Sequence, residues 1–356
     1  MDFMSAREAA RRWGISQRRV ALLCAEGRIE NATIIGNMWI IPATAEKPLD
    51  KRSARYTSTE EAPLRPFIKW AGGKGQLLSE ISRLYPFGNG KITKYAEPFV
   101  GGGAVLFDIL SKYELSEAYI SDSNPDLMNA YRVLRDETEE LIEMLCVIRE
   151  EYLPLDDAAR RTYYEKKRDA FNALCVGADD GINIAKAGLF IFLNKTCFNG
   201  LYRVNKKGAF NVPIGAYKTP AICDEDNLRA VAKALKNVNI VCADYKAAAD
   251  FIDAQTFVYI DPPYRPLTET SRFTAYTEGA FNDEDQKELA AFFAEMDKKG
   301  ALLLASNADP TNADPSDDFF DLLYGDYTVE RVLASRAINS KGEGRGKVRE
   351  LLIRNF

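Results

Sequence analysis

Runs of apolar residues alternate with amphipathic segments along most of the chain, and this alternation predicts an α/β fold. The clearest run, Phe257-Val258-Tyr259-Ile260, contains no charged residue and predicts a strand buried on both faces. Further runs predict strands at residues 94–97, 118–122, 239–242, 301–305 and 348–353, as parts of a set of about seven strands. Residues 125–194 show helical periodicity instead, with helices predicted at 132–149, 158–175 and 182–193.

The first 45 residues have a pattern of their own. Ser5 followed by Glu8 predicts a capping box at the start of a short helix, and a second helix would carry Arg18 and Arg19 in its first turn. Gly36-Asn37 lies between two apolar runs and predicts a hairpin wing. The pattern resembles the small winged helix-turn-helix modules of excisionases and MerR-like regulators, which implies DNA binding. A helical cap with a solvated arginine face is the alternative.

Residues 46–64 contain two prolines, several basic and hydroxyl residues and little apolar content, which predicts a linker. The whole chain is 46% hydrophobic and 28% charged, as is typical of globular proteins in solution. No segment approaches the length of a membrane span, so we expect a cytoplasmic protein with no membrane partner.

The net charge of −5 is unevenly distributed. Residues 1–55 hold ten Lys/Arg and six Asp/Glu, which gives +4, so the other 301 residues carry −9. The acidic excess need not face a nucleic-acid partner.

The chain contains no histidine, which excludes a triad with an imidazole base and a catalytic zinc held by histidines. Its cysteines form no CxxC pair, which argues against a zinc site and against a disulfide framework. The six are Cys24, Cys146, Cys175, Cys197, Cys223 and Cys242. We therefore expect chemistry that uses carboxylates, backbone groups and a cofactor, and no metal.

The predicted strand at 257–260 runs into Asp261-Pro262-Pro263-Tyr264. The prolines end the strand, because they have no N–H for the sheet. Asp261 and the Pro262 carbonyl would then form a rigid pair of acceptors beside the Tyr264 ring. An exocyclic amine could donate to both oxygens while its ring stacks on the tyrosine, which suits amine methylation. A polar turn with no catalytic role is the alternative.

Two glycine-rich segments precede predicted helices. One, Gly72-Gly73-Lys74-Gly75, lacks the GxxxxGK[ST] spacing of a P-loop, which argues against nucleotide hydrolysis. The other, Gly101-Gly102-Gly103, connects a strand to a helix, as at the nucleotide-binding corner of a doubly wound sheet. About twenty residues later Asp122 ends the next strand, where ribose-binding carboxylates lie. Together the turn and Asp122 indicate a cofactor that contains adenosine.

Residues 194–215 contain two turn signals, Asn199-Gly200 and Lys207-Gly208, between aromatic and basic residues. They predict a protruding hairpin that could reach base edges, although an ordinary surface hairpin has the same pattern. A long polar stretch at 268–281 and a glycine-containing basic stretch at 336–349 predict two further loops, the second suited to phosphates.

With these motifs in place, the chain resembles the Dam-type (D12 class) DNA adenine-N6 methyltransferases over residues 67–353. The resemblance rests on residues 69–74, the Glu97-Pro98-Phe99 to Gly103 turn, Asp122, the 198–201 and 211–213 segments, Asp261 to Tyr264, and the Phe273/Tyr276 loop. It implies a Rossmann-like class I methyltransferase sheet, with S-adenosylmethionine as methyl donor. It further implies a catalytic domain formed by residues 65–135 and 237–356. A helical and β-hairpin target-recognition domain at 136–236 would be inserted between the second and third strands.

The resemblance also implies roles for single residues. Asp261, Pro262, Pro263 and Tyr264 would be catalytic. Donor-binding residues would be Trp70, Lys74, Glu97, Phe99, Gly101, Gly103, Asp122, Asp244 and Asp261. DNA-binding residues would be Lys69, Phe198, Asn199, Leu201, Arg203, Pro213 and Tyr217. In family members that read GATC, five of these positions contact the bases or fill the gap that the flipped-out adenine leaves in the base stack. They are Lys69, Phe198, Leu201, Arg203 and Pro213. Ala216 departs from that pattern, because an arginine is often found there.

Several expectations follow for partners. The substrate would be double-stranded DNA from which the target adenine is flipped out, the enzyme would be a monomer, and a restriction endonuclease could be encoded nearby. Two other readings stay open at this point. One is a cytosine-N4 or RNA adenine methyltransferase, since the Asp-Pro-Pro-Tyr signature also serves those substrates. The other is a DNA-binding regulator whose methyltransferase fold is inactive or senses the donor.

Overall fold

The computed structural model describes residues 3–13, 20–21, 23–24, 29, 32–35, 38–45, 63–88, 90–175, 181–265, 281–335 and 347–356. The chain divides into two compact units, Met1–Ala62 and Pro63–Phe356. Several predicted features lie wholly or mostly outside the described residues. They are Arg18, Arg19, the Gly36-Asn37 turn, the 46–64 linker, the loop with Phe273 and Tyr276, and the basic stretch at 336–349.

The first unit contains a three-stranded antiparallel sheet and a capped helix. Its elements are β1 (Phe3–Ser5), α1 (Ala6–Trp13), β2 (Thr33–Ile35) and β3 (Met38–Pro42), in the sheet order β1-β3-β2. The Ser5 backbone N–H donates to the Glu8 carboxylate at 2.7 Å, and the Glu8 N–H donates to Ser5 Oγ at 3.3 Å. This exchange confirms the predicted capping box.

The second unit is built on one seven-stranded sheet. The strands are β4 (Lys94–Glu97), β5 (Glu117–Asp122), β6 (Val238–Cys242), β7 (Thr256–Ile260), β8 (Leu302–Ala308), β9 (Thr328–Ser335) and β10 (Lys347–Arg354). Their order is β6-β5-β4-β7-β8-β10-β9. The first five are parallel, and β10 is antiparallel to both of its neighbours. The expected mostly parallel α/β sheet is therefore present.

Strand β7 lies in the middle of this sheet and is buried along its whole length. Phe257 and Tyr259 belong to the hydrophobic core on one face, and Val258 and Ile260 belong to the core on the other. Successive side chains of a strand point to opposite faces, so an unbroken apolar run suits a strand covered on both.

The helices of this unit cover both faces of the sheet. They are α2 (Leu78–Ser82), α3 (Ala104–Lys112), α4 (Pro125–Asp136), α5 (Thr138–Tyr152), α6 (Asp157–Ala173), α7 (Ile184–Thr196), α8 (Glu225–Leu235), α9 (Asp283–Lys298) and α10 (Phe319–Leu323). Among the helices that the structure describes, none combines the length and apolar character needed to cross a membrane. Helices α4 to α8 all lie between β5 and β6 in the chain.

The prediction of a single helix at 132–149 was wrong, because two helices cover this region. Glu137 has φ −129° and ψ 49°, which ends α4 and separates it from α5. The Glu137 N–H still donates to the Val133 carbonyl, and the Thr138 hydroxyl donates to the Leu134 carbonyl at 2.8 Å. The break satisfies its own backbone groups and contains neither glycine nor proline, so no local sequence signal marks it.

The order of the strands reverses beside β4. The chain passes from β4 outward to β5 and β6, and then returns to place β7 on the other side of β4. A crevice forms at such a switch point, outside the carboxyl ends of the strands, and is where open α/β sheets bind ligands. Glu97 ends β4 and Asp261 follows β7, so both carboxylates lie at this edge.

Candidate active site

A cavity of about 840 Å³ opens at the switch point between β4 and β7. Its volume lies in the range of sites that hold a cofactor-sized ligand. The cavity brings together every residue predicted to bind the donor, although these come from five separate parts of the chain. They are Trp70, Lys74, Glu97, Phe99, Gly101, Gly103, Asp122, Asp244 and Asp261. Pro262, Pro263 and Tyr264 line the same cavity.

Asp261 is held by two side chains. The Lys74 ammonium lies 2.6 Å from its carboxylate and also donates to the Gly72 carbonyl at 2.8 Å. On the other side, Ser306 Oγ donates to Asp261 at 2.9 Å, and the Tyr259 hydroxyl lies 2.9 Å from Ser306 Oγ. Burial raises the pKa of Asp261, and the Lys74 ammonium and these hydrogen bonds act in the opposite direction. The arrangement fixes the carboxylate rigidly at the cavity wall.

The Tyr264 ring is positioned from two directions. Its hydroxyl donates to Glu350 at 2.6 Å, and the Lys74 ammonium lies 4.8 Å from the ring centroid. Behind the turn, the fully buried Gln286 donates to the Pro263 carbonyl at 3.3 Å. The aromatic face beside Asp261 is therefore fixed before any ligand arrives, which suits the stacking of a flat ring.

Glu97 is a second buried carboxylate in the cavity, with 2% of its surface exposed. The Tyr95 hydroxyl donates to it at 2.7 Å. Burial, with a smaller contribution from the charge on Asp261, raises the pKa of Glu97 to about 8. A positively charged ligand in this cavity would favour the ionised form of Glu97.

The glycine turn after β4 brings the backbone against Trp70 and Asp122. Gly101 and Gly103 have φ of +47° and +71°, a backbone conformation that residues other than glycine rarely adopt. The Gly101 N–H donates to Asp122 at 3.3 Å, and the Asn124 N–H donates to the same carboxylate at 2.9 Å. Asp122 therefore lies against the turn, where its carboxylate accepts from the backbone.

Substituting Gly101 with alanine is expected to destabilise the protein by about 1–3 kcal/mol. A Cβ at this position would lie 2.7 Å from Trp70 Cδ1, and the positive φ adds backbone strain. Thermal unfolding measures the effect. Gly75→Ala is the matched control, because it lines the same cavity and an added Cβ would meet nothing within 4 Å. Equal melting temperatures for the two variants would contradict the prediction.

Asp244 lines the cavity together with aromatic residues. The Phe99 and Tyr245 rings are stacked with centroids 5.3 Å apart, and Phe281 meets Phe99 edge-on at 6.0 Å. The Asp244 carboxylate accepts the Lys246 N–H at 3.0 Å. An apolar wall beside a carboxylate acceptor is a suitable environment for a flat ring with an amino group.

The segment after α7 is anchored on Lys69. Asn194 accepts the Lys69 N–H at 2.8 Å and donates to the Lys69 carbonyl at 2.7 Å and the Gly200 carbonyl at 3.1 Å. The Lys69 ammonium lies 3.9 Å from the Tyr217 ring centroid. Two of the residues predicted to bind DNA, Lys69 and Tyr217, are thus in contact although they are far apart in sequence.

The predicted hairpin is present with sparse pairing, through antiparallel bridges between Cys197 and Ile214 and between Val204 and Phe210. Phe198 is 53% exposed at its base, and its N–H donates to the Pro213 carbonyl at 2.9 Å. The other three predicted DNA-binding residues lie on the same segment. Asn199 adopts φ +56°, Leu201 is half-buried, and the exposed Arg203 donates from Nε to Asn211 at 2.8 Å.

Comparison with known proteins agrees with this geometry. The family of D12 class N6 adenine-specific DNA methyltransferases matches residues 70–338. A type II methyltransferase, M.MjaIII, of Methanocaldococcus jannaschii is 50% identical over 296 residues, covering 82% of this chain and 99% of that protein. A DNA adenine methylase of Haemophilus influenzae is 36% identical, covering 81% and 92%. The DNA adenine methylase of Escherichia coli is 34% identical, covering 81% and 94%.

Proposed function

Since the chain belongs to the D12 class of N6 adenine-specific DNA methyltransferases, we propose that its target adenine lies within GATC. The enzyme methylates adenine N6 in DNA, and S-adenosylmethionine is its methyl donor. The GATC assignment is supported by Lys69, Phe198, Leu201, Arg203 and Pro213. By resemblance these five match the positions that meet the bases, or fill the gap left in the stack, in GATC-reading members, and Lys69 is anchored to the hairpin through Asn194.

The cavity has features that fit this donor, which carries an adenosine and a methyl group on a positively charged sulfur. The stacked Phe99 and Tyr245 rings would form an aromatic wall beside the adenine, with Asp244 accepting from its amino group. Asp122 would accept the ribose hydroxyls. Glu97, ionised when the donor binds, and Asp261 would place carboxylates beside the cationic groups of the donor, while Trp70 and the Gly101 turn would form the floor.

The target adenine would be held by Asp261, Pro262 and Tyr264. Asp261 and the Pro262 carbonyl accept the two N6 hydrogens, which directs the nitrogen lone pair at the methyl group. The bound donor would supply the methyl group to N6, and the N6 proton that it displaces would pass to solvent. Stacking on Tyr264 would return roughly 1–3 kcal/mol of the cost of removing the base from the duplex. Lys74 and Ser306 keep Asp261 in position throughout.

Donor binding is expected to release up to about one proton at neutral pH, because Glu97 is then largely protonated in the free enzyme. Its pKa is raised to about 8, and a bound cation favours the carboxylate, so affinity should increase as the pH rises towards that value and level off above it. Glu97→Gln should remove this proton release and weaken binding about tenfold above that pH. Calorimetry in buffers of different ionisation enthalpy measures it. Glu117→Gln, an exposed glutamate on β5, is the control. Undiminished proton release in Glu97→Gln would contradict this role.

The target is tested by tritiated methyl transfer to duplexes that contain GATC, the same site already methylated at N6, or unrelated sequences. We expect incorporation confined to unmodified GATC. Arg203→Ala should lower incorporation into GATC relative to other sites by about 10–100-fold, since a bidentate arginine–guanine contact contributes about 1–3 kcal/mol. Lys207→Ala, at the turn of the same hairpin, is the matched control.

Other outcomes distinguish the competing assignments. Incorporation into sites other than GATC would overturn the target and direct attention to Ala216 or the first unit. Incorporation into cytosine or RNA would overturn the substrate class. Donor binding without any product would favour a regulator.

We also propose that residues 1–45 form a winged helix-turn-helix that binds DNA, with Arg18 and Arg19 at the groove. The capped helix α1 and the antiparallel β2–β3 pair support this assignment. Residues 136–236 would be the target-recognition domain, because they carry the hairpin that meets Lys69.

We expect a cytoplasmic monomer, because an enzyme that modifies one adenine at a time needs only one active site. Methyl transfer itself would need no metal, since the positioning of adenine N6 and electrostatic stabilisation would accelerate the reaction.

A further inference from the structure

Two cysteines that are distant in sequence lie together at the surface of the second unit. Cys146 is in the third turn of α5, and Cys223 comes two residues before α8 begins at Glu225. Their sulfur atoms are 3.6 Å apart, and Cys146 Sγ lies 3.4 Å from Glu225 Oε1. One ligand atom from each of the three residues lies within 4.8 Å of the other two. All three side chains are half-buried, so the group is accessible from solvent.

The two shorter spacings match the edges of a tetrahedral metal site. Zinc–sulfur bonds of about 2.3 Å and zinc–oxygen bonds of about 2.0 Å place two sulfurs about 3.8 Å apart. The same bonds place a sulfur and a carboxylate oxygen about 3.5 Å apart. The observed separations of 3.6 Å and 3.4 Å are therefore both close to the geometry that one bound ion requires.

The surrounding charges suit two thiolates and a carboxylate around one divalent ion. Such a ligand set carries one more negative charge than the ion neutralises. Arg149 Nη1 lies 3.3 Å from Glu225 Oε1, and Arg229 Nη1 lies 3.6 Å from Oε2, so cationic groups already compensate the excess. Two sulfur donors favour a soft ion of the zinc class over magnesium or calcium, which prefer oxygen ligands.

We propose that Cys146, Cys223 and Glu225 form a structural site for a divalent cation of the zinc class, with water as the fourth ligand. Binding replaces the two S–H protons, which pass to solvent, and forms no other bond. The ion would fasten α5 to the start of α8, which are the first and last helices of the 136–236 segment. Arg229 already joins these helices through paired bonds to Glu139 at 2.9 and 2.8 Å. The site would therefore stabilise the segment that carries the hairpin and is separate from methyl transfer.

Cobalt(II), a coloured substitute for zinc, tests the proposal on the full chain, reduced with a phosphine and freed of metal. We expect one equivalent to produce sulfur-to-cobalt charge-transfer bands, which one equivalent of zinc abolishes. Cys146→Ser and Cys223→Ser should each weaken binding by at least about a hundredfold, and Glu225→Gln by about tenfold. Cys175→Ser, which removes an exposed thiol outside the cluster, should bind like the wild type. Zinc should also raise the melting temperature of the wild type.

A second measurement needs no variant and so does not depend on folding. Zinc should protect Cys146 and Cys223 of the wild-type chain from alkylation, read by mass spectrometry of peptides, while Cys175 stays reactive. Absence of charge-transfer bands, or equal alkylation with and without zinc, would show a plain packing contact and overturn the site. Loss of both thiols to a disulfide, with no metal bound in the reduced state, would overturn it as well. Methyl transfer is measured separately, so failure here leaves the enzymatic assignment intact.

Discussion

Asp261→Ala is expected to slow methyl transfer by at least about 10³-fold while the variant still binds duplex DNA. The substitution removes the acceptor that would hold the adenine N6 and direct its lone pair. Asp261→Asn keeps the shape and one acceptor oxygen but loses the charge, so we expect an intermediate rate. Single-turnover transfer of a tritiated methyl group to a GATC duplex measures the chemical step directly.

The chain provides a matched control for this substitution. Asp253 lies just before the amino end of β7, and its carboxylate is 3.0 Å from the ammonium of the buried Lys94. Asp253→Ala therefore breaks a Lys–Asp pair beside the same strand without touching the cavity. We expect Asp253→Ala to keep the wild-type rate. If it loses as much activity as Asp261→Ala, the effect reflects a damaged sheet, and the catalytic role of Asp261 would have to be abandoned.

The parts of the site that were predictable are those encoded by local pattern. An apolar run followed by two prolines defines where β7 ends, and the prolines hold Asp261 and Tyr264 at that point. The glycine turn before α3 is similarly local, because positive φ at Gly101 and Gly103 demands glycine. These segments converge in one cavity, because the carboxyl ends of parallel strands lie at one edge of a sheet.

The residues that support the site were not predictable in the same way. Ser306 reaches Asp261 because β8 pairs with β7, with Ala305 opposite Ile260. Glu350 reaches Tyr264 from β10, which lies beyond β8 in the sheet. Both contacts depend on strand order and register, and the presence of a serine or a glutamate in an apolar strand predicts neither. The role of Asn194 could not be predicted either, since its hydrogen bonds to Lys69 depend on how α7 packs.

The cysteines illustrate the same limit. Motif spacing finds metal ligands that are neighbours in sequence, and Cys146 and Cys223 are separated by 77 positions. The packing of α5 against α8 brings them together.

The Lys74–Asp261 pair links stability to chemistry. The side chains are only 5% and 19% exposed, so each charge would be strongly unfavourable without the other. Removing one partner of a buried pair destabilises a protein by roughly 3–5 kcal/mol, chiefly because the other charge is left unpaired. Asp261 can avoid the cost of an unpaired charge by taking up a proton. A protonated carboxyl is uncharged, however, and is a weaker acceptor for the hydrogens of the adenine amino group. The lysine should therefore matter to catalysis through the ionisation state of Asp261.

Lys74→Met is accordingly expected to reduce methyl transfer about 10²-fold at neutral pH and to recover part of that loss as the pH rises. Burial already raises the pKa of Asp261, and Lys74 lowers it, so removing the ammonium must raise it further. The active carboxylate then forms only at higher pH, which shifts the acid limb of the pH–rate profile to the alkaline side. Single-turnover rates across the neutral and mildly alkaline range, at saturating donor, measure the shift.

Lys94→Met is the control. It removes the lysine that pairs with Asp253, which lies near the amino end of β7, whereas Asp261 follows the carboxyl end of that strand. It should leave the pH–rate profile in place, even if the melting temperature falls. A Lys74→Met profile that is uniformly lower with an unmoved acid limb would mean that Lys74 acts by contacting the substrates. The ionisation argument would then fail, because the pKa of Asp261 cannot stay constant when its nearest positive charge, 2.6 Å away, is removed.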